Sequence, residues 1–417
     1  MAKVSSVVIG KVARHIARLR GGGSALPGLI IEKIDHNFVS DCLGGLPHGV
    51  VVISGTNGKT TTTKIVVELL EKQGLKVFTN RTGSNFVRGV IAALLENVNL
   101  HGQLDADIAV LELDEAHAVR FIETITPTYC LLLNVMRDQL DRFGEIDHTA
   151  DLLAKLATKT TNTVVINRED RRLAKIKTPA KITYFGLSDE LKVHFPEDDE
   201  LLDKNRKKVL ASKLPANVVL TNTTNQMAVF TINEKTYSTT LDLKGVYNVF
   251  NAAAALSLVT TILPDANTIS LISDLSTIKS AFGRGESFTV SGQPLELLLV
   301  KNPSGFQLAL ESFSSGDYAN MISINDNYAD GRDMSWLWNV DFSSLQQVNM
   351  VSGIRAYDMA LRLKYDVVDF TTSQPDISKA LHDFLQLKQP KRIFATYTAM
   401  LEIRKLLAKY TDVERVL

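Results

Sequence analysis

The segment Gly55-Thr56-Asn57-Gly58-Lys59-Thr60-Thr61 constrains this 417-residue chain more than any other. A β-branched run, Val50–Ser54, precedes it, and a helical stretch from about Thr60 to Gln73 follows. In that strand–turn–helix context the glycines let backbone N–H groups converge on phosphate oxygens, and the helix start adds partial positive charge. Lys59 is then the residue that reaches terminal phosphates, and Thr60 the one that offers a hydroxyl to Mg²⁺. Ile53 stands where the general pattern has its first glycine. A plain turn is the competing reading, and the flanking strand and helix argue against it. The expectation is a nucleoside triphosphate site on Thr56, Asn57, Gly58, Lys59, Thr60 and Thr61.

Short apolar runs alternate with helical stretches around this loop. Strands are expected at Lys76–Thr79, Ile108–Leu113, Tyr129–Leu133, Thr163–Ile166 and Lys181–Phe185, which predicts a doubly wound α/β sheet. Leu111-Glu112-Leu113-Asp114-Glu115 closes one strand at its C-terminal end, where ligands of open sheets collect. The strand period of two puts Glu112 and Asp114 on one face, as magnesium support. Residues 188–244 break the rhythm with an acidic run, a basic run, and two alternating segments, Met227–Ile232 and Thr236–Leu243. They read as an inserted hairpin module that holds no cysteine. A helix at Asn248–Thr261 resumes the domain, and Gly283-Arg284-Gly285 is the expected hinge. Strands at Leu295–Val300, Met321–Ile324, Val348–Val351 and Arg392–Ala395 then predict a smaller Rossmann-like domain. The expected organisation is an N-terminal segment (1–46), an ATP-binding domain (47–285) and a C-terminal domain (286–417).

Composition removes other classes. Forty-six basic residues cancel 46 acidic ones, so bulk charge gives no nucleic-acid footprint. Two cysteines, Cys42 and Cys130, cannot make a disulfide framework or an all-cysteine zinc site. No apolar run is as long as a membrane span, and the start lacks a signal-peptide pattern, so the expected location is the cytoplasm. Residues 1–20 read as a basic amphipathic helix. Val4, Val8, Val12, Ile16 and Leu19 recur at helical spacing among Lys11, Arg14, Arg18 and Arg20. The expected arrangement packs that helix on its own domain with a solvated basic face, and an anionic membrane surface is the alternative partner.

Five ordered segments resemble the Mur ligase family of ATP-dependent amide-bond ligases. Gly55–Thr61 is similar to its G-T-x-G-K-T-[ST] loop, which accounts for Ile53. Asp138-Gln139-Leu140-Asp141 is similar to D-H-L-D, with Gln139 in place of a histidine. Asn167-Arg168-Glu169-Asp170 resembles N-x-D-D, Gly245–Ala252 resembles G-x-H-N-x-x-N-x, and Gly283-Arg284-Gly285-Glu286 resembles G-R-x-E. Val300–Phe306, Asn325–Trp336 and Gly22–Gly28 resemble the MurT-type subunits of lipid II isoglutaminyl synthases. Many such relatives carry a four-cysteine zinc ribbon in the central domain, and residues 188–244 lack the cysteines for one.

The resemblance implies ATP-dependent amidation of the D-glutamate α-carboxyl of the lipid II stem peptide through an acyl phosphate. Ammonia would come from a class I-type glutaminase subunit in a heterodimer, at the inner face of the cell membrane. Lys59, Thr60, Glu112 and Mg²⁺ would serve the γ-phosphate, while Asn251 and Arg284 would lie near the nucleotide. Asp333, in a D-x-S-W segment that resembles the stretch facing the glutaminase, would lend its carboxylate across the interface. The rival readings are a stand-alone ligase resembling folylpolyglutamate synthase, and a P-loop protein that binds ATP without ligating anything.

Overall fold

The computed structural model describes residues 3–19, 25–80, 86–137, 146–192, 194–195, 211–224, 226–243, 245–279, 284–313 and 317–413. Its central sheet has the order β2-β3-β1-β4-β5-β6-β7-β8-β9. The strands are β1 (Val50–Ser54), β2 (Val77–Thr79), β3 (Ile108–Glu112), β4 (Tyr129–Leu132), β5 (Thr163–Asn167), β6 (Lys181–Leu187), β7 (Val218–Thr224), β8 (Met227–Ile232) and β9 (Lys235–Thr240). Pairing is parallel from β2 through β7. The chain leaves β1 toward one edge for β2 and β3, then returns to β1's other side for β4. β1 therefore sits at the topological switch point, where such sheets bind ligands at their C-terminal ends.

Every residue of β1 is buried, and its side chains divide by the strand period. Val51 and Ile53 join the core under helices α4 (Lys59–Lys72), α9 (Val246–Ile262) and α10 (Thr268–Leu275). Val50 and Val52 join the core under α3 (Phe38–Leu43), α5 (Val87–Asn97), α6 (Glu115–Phe121) and α7 (Ile146–Lys159). α9 is apolar on nearly all sides, as a helix packed between layers must be.

The hairpin expected within 188–244 forms as β8 and β9 around Asn233 and Glu234, both at positive φ. It is continuous with the sheet, since β7 pairs parallel with β6 and antiparallel with β8. A short helix, α8 (Asp189–Lys192), precedes β7. The charged runs Glu197–Glu200 and Lys204–Lys208 lie outside the described residues.

The second sheet has the order β10-β11-β15-β12-β13-β14. Its strands are β10 (Arg284–Val290), β11 (Gln293–Leu299), β12 (Ala319–Ser323), β13 (Gln347–Ser352), β14 (Asp369–Gln374) and β15 (Lys391–Ala395), and only β10 pairs antiparallel. Helices α11 (Pro303–Phe313), α12 (Ala356–Tyr365), α13 (Ile377–Leu385) and α14 (Tyr397–Leu407) complete a Rossmann-like unit. Trp336, the last residue of the D-x-S-W segment, is core: it is 7% exposed and packs edge-on against Phe306. Trp338 is half-exposed, its ring 5.1 Å from that of Tyr365.

The first helix corrects an expectation. α1 (Val4–Leu19) packs beside α2 (Ala25–Ile34) and α5, yet Val4, Val8, Val12 and Ile16 face outward at 45–53% exposure. Lys11 and Arg14 instead reach back to the protein. The Lys11 ammonium donates to the Leu95 carbonyl at 2.9 Å, and Arg14 pairs with Glu96.

Candidate active site

The phosphate loop is shaped by two glycines at positive φ, Gly55 (134°) and Gly58 (88°). A Cβ at Gly58 would lie 2.4 Å from Asn251 Oδ1, so α9 presses its asparagine directly onto the loop. Asn134, just beyond β4, stitches the other side. Its backbone carbonyl accepts from the Thr56 N–H at 3.0 Å, and its Oδ1 accepts from the Asn57 N–H at 2.8 Å. The Asn134 amide donates back to the Asn57 carbonyl at 3.0 Å. The loop is thus held in shape by the sheet edge as well as by its own glycines.

Lys59 is 6% exposed. Its ammonium donates to the Gly55 carbonyl and, at 3.4 Å, to the Thr56 carbonyl, and it lies 3.8 Å from the buried Glu115 carboxylate. An ammonium this deep needs such partners to stay charged. The Thr60 hydroxyl donates to Glu112 Oε1 at 2.9 Å. Asn80 fixes the end of β3 by accepting from the Glu112 N–H and donating to its carbonyl. β3 stops at Glu112, so the period of two does not carry to Asp114. Asp114 starts α6 as its N-cap residue, and its Oδ1 is buried with no hydrogen-bond partner among the described residues. A hydroxyl and a carboxylate in contact at a phosphate loop, with an unmatched carboxylate oxygen two residues on in sequence, suit a hard divalent cation such as Mg²⁺.

The C-terminal domain completes the site. Lys301 Nζ donates to the Thr56 carbonyl at 3.4 Å, and the Asn302 amide donates to Asn57 Oδ1 at 3.0 Å. Asn302 Oδ1 accepts from the Gly305 N–H at 2.7 Å, which fixes it at the start of α11. Between the two sheets lies a cleft lined by Gly58, Asp170, Lys192, Phe195, Tyr247, Asn251 and Lys301 among others. Phe195 and Phe250, with centroids 5.0 Å apart, give it an aromatic wall suited to a flat base.

Other expected site residues divide sharply. Glu169 is buried and inward-tied, accepting from the Leu187 and Ser212 N–H groups and from Arg168. Asp170 accepts from the N–H groups of Val135, Arg172 and Leu173, and burial raises its carboxyl above the ordinary value against those bonds. Arg284 contributes backbone to β10, but its side chain, like Gly283 and Asp138–Arg142, lies outside the described residues. Asp333 is exposed, and hydrogen bonds from Ser335 hold its carboxyl below the ordinary range. Its neighbour Asp330 is buried, accepting from the Thr398 N–H and hydroxyl and the Asn327 N–H. Burial pushes the Cys42 thiol up to about 12 and raises that of Cys130 as well, so neither offers a thiolate.

Sequence reasoning missed Asn134, Glu115 and the roles of Lys301 and Asn302. Asn134 lies in a polar cluster at a strand end, which is a signal of position but not of partner. Lys301 and Asn302 act 245 positions from the residues they meet.

Residues 53–259 match the Mur ligase middle domain, and residues 299–400 match the MurT ligase C-terminal domain. Over 96% of both chains, the sequence is 30% identical to the lipid II isoglutaminyl synthase (glutamine-hydrolyzing) subunit MurT of Streptococcus pneumoniae. The Staphylococcus aureus subunit of that name is 28% identical over the same share. In fold, the chain superposes on Thermotoga maritima MurF ligase in complex with ADP (TM-score 0.67, 18% identity, 92% of this chain and 84% of that one). It also superposes on Mycobacterium tuberculosis folylpolyglutamate synthase (TM-score 0.62, 14% identity, 90% and 95%).

Proposed function

The chain belongs to the MurT branch of the Mur ligase family, and from that premise we propose that it amidates lipid II at the expense of ATP. The carboxylate amidated is the D-glutamate α-carboxyl of the stem peptide. The observation that carries this reading is the closure of the phosphate loop by Lys301 and Asn302 of the other domain. A ligase must join a phosphoryl donor held by one domain to an acceptor reached from another, and must keep water from the activated product.

A carboxylate at neutral pH resists amide formation, because it is resonance-stabilised and has no good leaving oxygen. Transfer of the γ-phosphoryl group to one of its oxygens gives an acyl phosphate. Ammonia then attacks the carbonyl carbon, a C–N bond forms, the C–O bond to phosphate breaks, and the nitrogen loses a proton. Lys59, countered by Glu115, meets the negative charge of the terminal phosphates, and Lys301 adds a second cation at Thr56. Thr60 and Glu112 are the residues that would hold Mg²⁺, with Asp114 close in sequence; the ion neutralises phosphate charge when bound. Asn251, against Gly58 of the loop, serves the nucleotide, and the resemblance implies the same role for Arg284.

Ammonia comes from a class I-type glutaminase subunit bound as a heterodimer. Both cysteines of this chain are buried with raised pKa, which supports an external source. Asp333 supports the partner by orienting its catalytic imidazole, a role suited to an exposed carboxylate kept ionised by Ser335. The work is done at the cytoplasmic face of the membrane. No helix among the described residues is long and apolar enough to cross it.

Release of ADP from the chain with its glutaminase should require lipid II, with glutamine or ammonium as the nitrogen source. Lys59→Ala should lower that release by about 10²- to 10³-fold while circular dichroism stays unchanged. ADP release supported by a free amino acid instead would favour a stand-alone amino-acid ligase.

A further inference from the structure

α1 is amphipathic with its faces reversed. The face against the protein is made of small residues: Ser6, Gly10 and Ala17 are buried there, beside Val7. Gly10 sets that orientation, because a Cβ there would lie 2.4 Å from a Leu95 methyl and 3.1 Å from Ile31. The opposite face carries Val4, Val8, Ile9, Val12 and Ile16, all 45–53% exposed. Leu26 and Ile34 of the adjoining α2 are 54% and 50% exposed. Water is a poor environment for so many β-branched side chains in one place, and isolated exposed residues are not the case here.

Charge selects the occupant. The first 31 residues hold Lys3, Arg18 and Arg20, besides Lys11 and Arg14, which reach back to the protein, and no acidic residue, in a chain whose net charge is zero. The acids near this pair of helices are engaged: Glu96 with Arg14, Glu32 with Arg88, and the buried Asp35 with the Ser6 hydroxyl. An apolar stripe within a one-sign basic segment is the signature of a helix lying in a lipid interface. We propose that the outer face of α1 and α2 is a membrane-docking surface, seating Val4, Val8, Val12 and Ile16 in an anionic bilayer. This rests on the lipid II reading for its purpose but not for its test, since lipid-anchored substrate need not be present for the surface to bind.

The test is co-sedimentation of the full chain with large unilamellar vesicles free of lipid II. One set contains about a third phosphatidylglycerol in phosphatidylcholine, the other phosphatidylcholine alone. Wild type should sediment with the anionic set, and raising salt should release it. Val8→Glu with Val12→Glu should weaken binding at least tenfold while ATP affinity, read by calorimetry, is unchanged. Binding that ignores lipid charge, or a double variant that binds like wild type, would overturn the proposal. So would a wild-type dimer that the double substitution splits by light scattering, because a second copy would then be what covers the stripe. Loss of glutaminase co-purification in the double variant would assign the face to that partner instead.

Discussion

Gly58 and Asn251 show how single residues set the nucleotide site. A methyl at Gly58 must enter space taken by the Asn251 amide, at a φ of 88° that disfavours any L side chain. Gly58→Ala should therefore cost about 1 kcal/mol or more in urea unfolding and weaken ATP binding well beyond tenfold. Adding Asn251→Gly should recover part of the stability but not the affinity. Unchanged ATP affinity in Gly58→Ala would show that the loop does not hold phosphate. The cysteines give a second check at this scale. With Cys42 held near 12 and Cys130 raised too, the folded chain at pH 8 should resist iodoacetamide, and urea should expose both to alkylation by mass spectrometry. The sign on stability follows. Unfolding frees thiols that ionise at about 8.5, so the folded state should lose stability as pH climbs from there toward 12. Alkylation of either thiol in the folded chain would contradict their burial.

At the scale of elements, the pair Glu296–Arg392 ties β11 to β15. The residues are in register, both are nearly dry, and the guanidinium lies 2.9 Å from the carboxylate and 4.1 Å over the Tyr318 ring. Glu296→Ala leaves a buried cation without its counter-charge and should cost about 3–5 kcal/mol in urea unfolding. A loss below about 1 kcal/mol would mean water reaches the pair. Elements of this sort differ in how plainly the sequence announces them. β1 is legible because five consecutive buried residues leave only a strand between two helical layers, and α4 because its phosphate loop fixes where it starts. β14 is an edge strand whose residues, Asp369 to Gln374, are polar except for Phe370 and largely open to water, so no apolar run marks it. β7 fades into Thr-Asn-Thr-Thr for the same reason. α1 was legible as a helix and illegible in orientation: periodicity gives the width of a stripe, while Gly10 against Leu95 decides which side faces the protein.

At the scale of the molecule, function depends on two sheets meeting over one loop. The phosphate loop was readable from its own seven residues, but Lys301 and Asn302 were not readable as its partners, because contact across 245 positions leaves no local pattern. Asp333 tests the second meeting, with the glutaminase. Asp333→Asn should nearly abolish amidation driven by glutamine and spare amidation driven by added ammonium. Equal loss of both would place Asp333 in the ligase site, and no loss would leave it a surface residue. The central claim is tested most directly by weighing lipid II after incubation with the chain, its glutaminase, ATP, Mg²⁺ and glutamine. The account predicts a product lighter by the difference between OH and NH₂, formed only with ATP and absent with Lys59→Ala. ATP consumed without that change, or a product heavier by a whole amino acid, would contradict it.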